Sequence, residues 1–127
     1  NFDPSHLIWQ GMDPAEAVRM LGGKAIHHVH AKDTYLDTAN IRKTGVLSTG
    51  HYSDVLNRPW TFRTVGYGLD TAKWKEFVSM LRMVGYDGVL SIEHEDMFMS
   101  VEEGLEKAIA FLKDIMSTQP MGEMWWA

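Results

Sequence analysis

Tyr86-Asp87-Gly88-Val89-Leu90-Ser91-Ile92-Glu93 is the stretch on which the reading of the fold turns. A turn of Asp and Gly leads into a short, nearly continuous apolar run, the pattern of a buried strand in a parallel sheet, and the run ends on a carboxylate. Upstream, Trp74, Phe77, Val78, Leu81 and Val84 recur at helical spacing, with Asp70 or Thr71 as the cap and Gly85 as the stop. Downstream, Ser100-Val101-Glu102-Glu103 is a capping box that opens a last helix running to about Lys113. Helix, strand and helix in direct succession mark parallel βα units.

The same rhythm extends towards the N-terminus. From Ala25 to His30 the chain reads as a strand, with Ala25, His27 and Val29 alternating against Ile26, His28 and His30. Both faces are mixed, so periodicity leaves open which one meets the core. Before it, Asp13-Pro14-Ala15-Glu16 orders an N-cap, a first-turn Pro and a capping-box acid, and Gly22-Gly23 ends that helix. Asn1 to Asp3 reads as the end of a further strand, followed by a polar turn through Pro4-Ser5-His6. Residues 31–69 hold no convincing helix and exceed the roughly 12 to 15 residues of an ordinary connection. They are therefore expected to form a functional loop, with short strands or a hairpin around Gly45-Val46-Leu47 and from Trp60 to Val65. Residues 1–115 are read as one α/β domain and 116–127 as a tail. Its Pro120, Met121, Met124, Trp125 and Trp126 are expected to pack against the protein's own surface, with an oligomer contact as the alternative.

Composition narrows the function. The 127 residues, 45% of them hydrophobic, suffice for one core. The net charge is -5 and the 12 Lys and Arg are scattered, so nucleic acid is disfavoured as a partner. The absence of Cys excludes disulfides, thiolate zinc sites and thiol nucleophiles, and fits a cytoplasmic location. No apolar run approaches the roughly 18 residues of a membrane span, so no membrane association is expected. The sequence opens on Asn1-Phe2-Asp3 without an initiator Met or the regions of a signal peptide, and a fragment or processed chain is expected.

Parallel βα folds carry their functional groups at the C-terminal ends of the strands, and Asp3, His30 and Glu93 all fall there. Singly, an Asp before Pro is a turn residue and a His in a strand is a structural group. Jointly, metal-competent side chains on successive strand ends converge on one rim. Carboxylate mixed with imidazole suits manganese, magnesium, cobalt or zinc. In His27-His28-Val29-His30, alternation sets His27 on the face opposite His28 and His30, and His30, nearest the strand end, is the ligand candidate. An ionised Glu93 ending an apolar strand calls for a compensating cation. His94, Glu95 and Asp96 continue the polar cluster onto the next loop, and His6 is spaced to reach the same rim. Lys32 and Arg63 are candidate anchors for anionic or hydroxyl groups of a substrate, with surface salt bridges as the equal alternative.

Four ordered motifs carry a resemblance. Phe2-Asp3-Pro4-Ser5-His6, His28-Val29-His30-Ala31-Lys32-Asp33, Gly66-Tyr67-Gly68 before a helix, and Tyr86-Asp87-Gly88 through Ser91-Ile92-Glu93-His94-Glu95-Asp96 resemble those of the xylose-isomerase-like sugar phosphate isomerase/epimerase superfamily. The resemblance implies a (β/α)8 TIM barrel of which this chain supplies about the last three βα units. It implies a divalent metal, manganese in the first place, held by a Glu, an Asp, a His and a second Glu from the last four strands. Asp3, His30 and Glu93 match the last three ligands, and the first Glu is expected upstream of Asn1. The implied chemistry is isomerisation or epimerisation of a sugar or sugar phosphate, by proton transfer next to a carbonyl through an enediolate. Glu93 would act as both ligand and acid/base, and His6 would contact the substrate.

Two alternatives accompany that expectation: a dehydratase of an inosose-like cyclic ketone on the same rim, and an inactive barrel fragment lacking the first Glu. Apurinic endonuclease chemistry needs further His ligands, for which His51 is poorly placed. The expected partners are a small-molecule sugar and either a second copy or the missing N-terminal half of the barrel. A full barrel takes roughly 250 residues and closes its sheet. Three strands alone are therefore expected to need their other half, a partner chain or altered packing.

Overall fold

The computed structural model describes all 127 residues. Its elements run α1 (Pro4–Ile8), α2 (Pro14–Leu21), β1 (Val29–Ala31), β2 (Asp33–Leu36), α3 (Thr38–Thr44), β3 (Trp60–Arg63), α4 (Thr71–Met83), β4 (Leu90–Ile92) and α5 (Val101–Ile115). The long helices start where their caps predict. Asp13 accepts the Ala15 N–H at 2.8 Å for α2, Asp70 the Lys73 N–H at 2.8 Å for α4, and Ser100 the Glu103 N–H at 3.2 Å for α5. Gly22 and Gly85, with φ of 71° and 78°, take the left-handed conformation just beyond α2 and α4.

Parallel pairing sets the frame. Phe2 bridges to Val29, and β1 pairs with β4 in the register Val29 with Leu90, His30 with Ser91 and Ala31 with Ile92. Val29 and Ala31 are fully buried under α2, α4 and α5, where Val18, Trp74, Phe77, Leu81 and Leu112 close the core. Strand alternation then turns His30 and Lys32 to the opposite face. One step beyond the paired residues, the same register sets Glu93 level with Lys32, and the Glu93 N–H donates to the Ala31 carbonyl at 3.2 Å. The ends of the Phe2 strand, β1 and β4 thus lie side by side.

Several boundaries differ from those expected. The strand read from Ala25 begins only at Val29, because Gly23–Ala25 close a 3-10 turn. The polar turn after Asp3 is the helix α1: Asp3 Oδ1 accepts the Ser5 N–H at 2.9 Å, and Pro4 suits a first turn. Residues 31–69 are not one loop. They hold the antiparallel pair of β2 and β3, with Asp33 opposite Arg63 and Leu36 opposite Trp60, and between them α3, capped by Asp37 on the Asn40 N–H. The expected strand at Gly45-Val46-Leu47 does not form, since Gly45 terminates α3 with φ 68°.

β4 is only half-buried, because no strand flanks its second edge. The tail does not pack as expected. Arg82 binds the carbonyls of Ser117 and Gln119, but Trp125 and Trp126 remain 85% and 68% exposed. No helix is long and apolar enough to cross a membrane.

Candidate metal centre

Asp3, His30 and Glu93 meet at the strand ends, each offering one ligand atom, with all three atoms within 4.8 Å of one another. His30 Nδ1 lies 2.7 Å from Glu93 Oε2 and 3.7 Å from Asp3 Oδ2. The Asn1 amide reaches the same ring at 3.3 Å. A cleft of about 420 Å³ opens over the cluster, lined by Asn1, Asp3, His6, Leu7, His30 and Glu93. His6 flanks it with Nε2 3.5 Å from Asp3 Oδ2 and its side chain 56% exposed. His28 stands behind, its ring edge-on to that of His30, and His27 is exposed away from the cleft.

Of its two expected roles, Lys32 takes the salt bridge, and a buried rather than a surface one. Its side chain is 3% exposed, and its ammonium bridges Glu93 Oε1 at 2.9 Å and Glu95 Oε2 at 3.0 Å. Burial pushes Lys32 down, but Glu93 and Glu95 outweigh it and hold the ammonium above its ordinary range. Reciprocally, the hydrogen bond from Lys32 holds the Glu93 carboxyl below the usual carboxylate range against partial burial. Lys32 also lies 4.0 Å above the Phe62 ring. Arg63 is likewise engaged: it pairs with Asp96 at 3.1 Å, and Asp96, whose side chain has no exposure, also takes the Thr64 N–H at 2.8 Å.

Reasoning from sequence missed Asp33. Its buried carboxylate accepts the Gly66, Gly68 and Leu69 N–H groups and the Trp74 indole N–H, each at 2.9 Å, and the Thr34 N–H at 2.8 Å. Burial pushes this carboxyl up against the pull of those donors. The Gly66-Tyr67-Gly68 turn thus wraps a carboxylate of the chain itself. A Cβ on Gly68 would lie 2.5 Å from the Thr34 carbonyl oxygen and 2.6 Å from Asp33 Oδ1, which explains the glycine. The available signal was an Asp beside Lys32 together with a Gly-x-Gly turn ahead of a capped helix.

A run of aromatic rings leads away from His6, which lines the cleft. The His6 ring meets Phe62 edge-on at 5.6 Å, Phe62 meets Trp60 at 5.2 Å, and Trp60 stacks on Trp9 at 5.0 Å and 18°.

The family model that matches residues 1–115 is described as a xylose isomerase-like TIM barrel. A protein of Bacillus subtilis (strain 168), the uncharacterized protein YfiH, is 45% identical over 117 residues, which are 92% of this chain and 37% of that protein. The crystal structure of a xylose isomerase domain protein from Planctomyces limnophilus superposes with a TM-score of 0.63 at 24% identity, over 91% of this chain and 36% of the other. The chain therefore spans little more than a third of the length of these relatives.

Proposed function

Since the chain belongs to the xylose isomerase-like TIM-barrel family and covers part of that barrel, we propose that it is the C-terminal part and carries most of the catalytic rim of a divalent-metal-dependent sugar isomerase or epimerase. The observation that supports this reading is the convergence of Asp3, His30 and Glu93 within 4.8 Å at three adjacent strand ends. Two carboxylates and an imidazole, with no thiolate near, suit a hard or borderline divalent ion, manganese first. When bound, such an ion supplies the positive charge that polarises a substrate carbonyl and stabilises the enediolate.

The chain's own residues do the rest. Lys32 keeps Glu93 ionised, so Glu93 enters the reaction as a proton acceptor next to the carbonyl. In isomerisation it would return the proton to the neighbouring carbon, whereas epimerisation would need a second carboxylate to reprotonate the same carbon from its other face. His6, exposed beside Asp3, contributes a ring nitrogen to a substrate hydroxyl or carbonyl. A glutamate on the preceding strand completes the ligand set in the whole protein, as the family resemblance implies.

The test uses the full-length protein, with manganese titrated by calorimetry and ketoses and cyclic ketones screened for products. Manganese binding and interconversion of ketoses are expected. Glu93→Gln is expected to lower turnover by about 10²–10⁴-fold, the usual contribution of a positioned acid/base group. No metal uptake would overturn the proposal, and exclusively dehydrated products would replace it with the dehydratase reading.

A further inference from the structure

The two carboxylates of the ligand cluster are restrained in the same way by unlike partners. Each gives one oxygen to the protein and leaves the other facing His30. Asp3 Oδ1 accepts the Ser5 N–H at 2.9 Å and the Ser5 hydroxyl at 2.7 Å, while Oδ2 lies 3.7 Å from His30 Nδ1. Glu93 Oε1 accepts from the Lys32 ammonium at 2.9 Å, while Oε2 lies 2.7 Å from His30 Nδ1.

Both partners are themselves fixed. Ser5 is fully buried, and its carbonyl accepts the hydroxyl of the equally buried Thr34 at 3.1 Å. The Thr34 N–H donates in turn to Asp33, so Ser5 is tied to the carboxylate that the turn from Gly66 to Leu69 wraps. Lys32 is gripped from three sides, by Glu93, by Glu95 Oε2 at 3.0 Å and by the face of the Phe62 ring. For Glu93 to offer both oxygens, Oε1 would have to leave a buried ammonium with Glu95 alone to compensate it, which is unfavourable. For Asp3 to do so, Oδ1 would have to give up the cap of α1 and leave a buried hydroxyl unpaired.

That penalty falls unequally on different ions. Calcium takes roughly six to eight oxygens in flexible geometry and commonly draws on both oxygens of a carboxylate, whereas smaller divalent ions are content with fewer. Resting on the metal-centre reading, we infer that Lys32 and Ser5 are positioning residues that hold Glu93 and Asp3 to one oxygen each, which sets the cluster for small divalent ions such as manganese and against calcium. Withholding two oxygens also leaves an ion there open to other ligands, as a catalytic rather than a structural site requires.

The experiment titrates the full-length protein with manganese and, separately, with calcium by calorimetry. Wild type is expected to prefer manganese by at least about tenfold. Lys32→Met keeps an apolar stem against Phe62 and removes the ammonium. Loss of a positive charge strengthens both ions alike, so the readout is the ratio of the two affinities, which is expected to fall at least about tenfold in this variant. Ser5→Ala keeps the N–H bond to Asp3 and is expected to lower the ratio by about threefold. Cobalt gives a second readout: its visible absorption is expected to weaken in Lys32→Met as a further oxygen joins the ion.

A folded Lys32→Met protein with the wild-type ratio and cobalt spectrum would overturn the inference, as would a wild type that binds calcium as tightly as manganese. Should Lys32→Met fail to fold, Ser5→Ala decides by the same ratio, and an unchanged value overturns the inference. A wild type that takes up neither ion overturns the metal-centre reading itself, and the inference falls with it.

Discussion

Asp3 divides its carboxylate between two tasks. Oδ1 accepts the Ser5 N–H at 2.9 Å and the Ser5 hydroxyl at 2.7 Å, which caps α1, while Oδ2 faces His6 and His30. The two tasks separate by substitution. Asp3→Asn keeps an acceptor for the cap and removes the charge, so the melting temperature should hold while manganese affinity falls at least tenfold. Asp3→Ala should lose both, with about 1 kcal/mol of stability going with the cap. Parallel thermal melts and metal titrations check this.

Asp96 gives the acid response. Burial pushes its carboxyl up, but the Thr64 and Phe98 N–H groups and Arg63 outweigh burial and hold it below its ordinary value. A carboxyl depressed in the folded state stabilises the fold above its unfolded value of about 3.9. That stability is lost as pH falls through the folded value. Melts of wild type and Asp96→Asn should therefore differ at pH 7 and converge as the pH falls below the unfolded value and through the folded one. At this scale the ligand candidates were legible, because a strand end fixes where Asp3, His30 and Glu93 stand. The partners of Lys32 and Arg63 were not, since they lie 61 and 33 residues away along the chain.

Among the elements, the segment between β1 and α4 was the least legible. The cap Asp37 and the stop Gly45 of α3 are both visible in the sequence, but Thr38–Thr44 buries only Asn40 and so has no apolar period to announce it. Asn40 is held by hydrogen bonds to the Leu56 and Arg58 carbonyls, a tertiary cause that no local pattern encodes. By contrast, α2, α4 and α5 each have a cap and an apolar face, and the starts of α2 and α5 were legible to the residue, that of α4 to within one.

Element packing also reaches the rim. Gly104 on α5 lies directly against the His94 ring, where any Cβ would overlap it. Gly104→Ala should push His94 and the adjoining Glu93 out of place, costing about 1–3 kcal/mol through overpacking and weakening manganese severalfold, although Gly104 touches no ligand. Chemical denaturation and metal titration of the folded variant measure the two effects. Unchanged metal affinity would show that the β4 loop is held independently of α5.

At the scale of the whole molecule, the sheet explains what the fold needs. The parallel ladder is Phe2, β1 and β4, and it ends at both sides without a further strand. Apolar groups at the open edge are uncovered: Val89 is 63% exposed, and Leu90 and Ile92 are only half covered. Unpaired edges next to apolar surface are templates for pairing with another chain, and a barrel removes them by closing. The order of strand and helix was legible in the sequence because each βα unit is local, whereas closure depends on strands outside these residues. The 127 residues alone should therefore self-associate at micromolar concentration and bind a hydrophobic dye. The same residues within a chain of the length of their relatives should remain dispersed and melt as one unit. Sedimentation velocity on both species decides the matter, and a monomeric 127-residue chain with a single cooperative melt would show that its own packing covers these edges well enough.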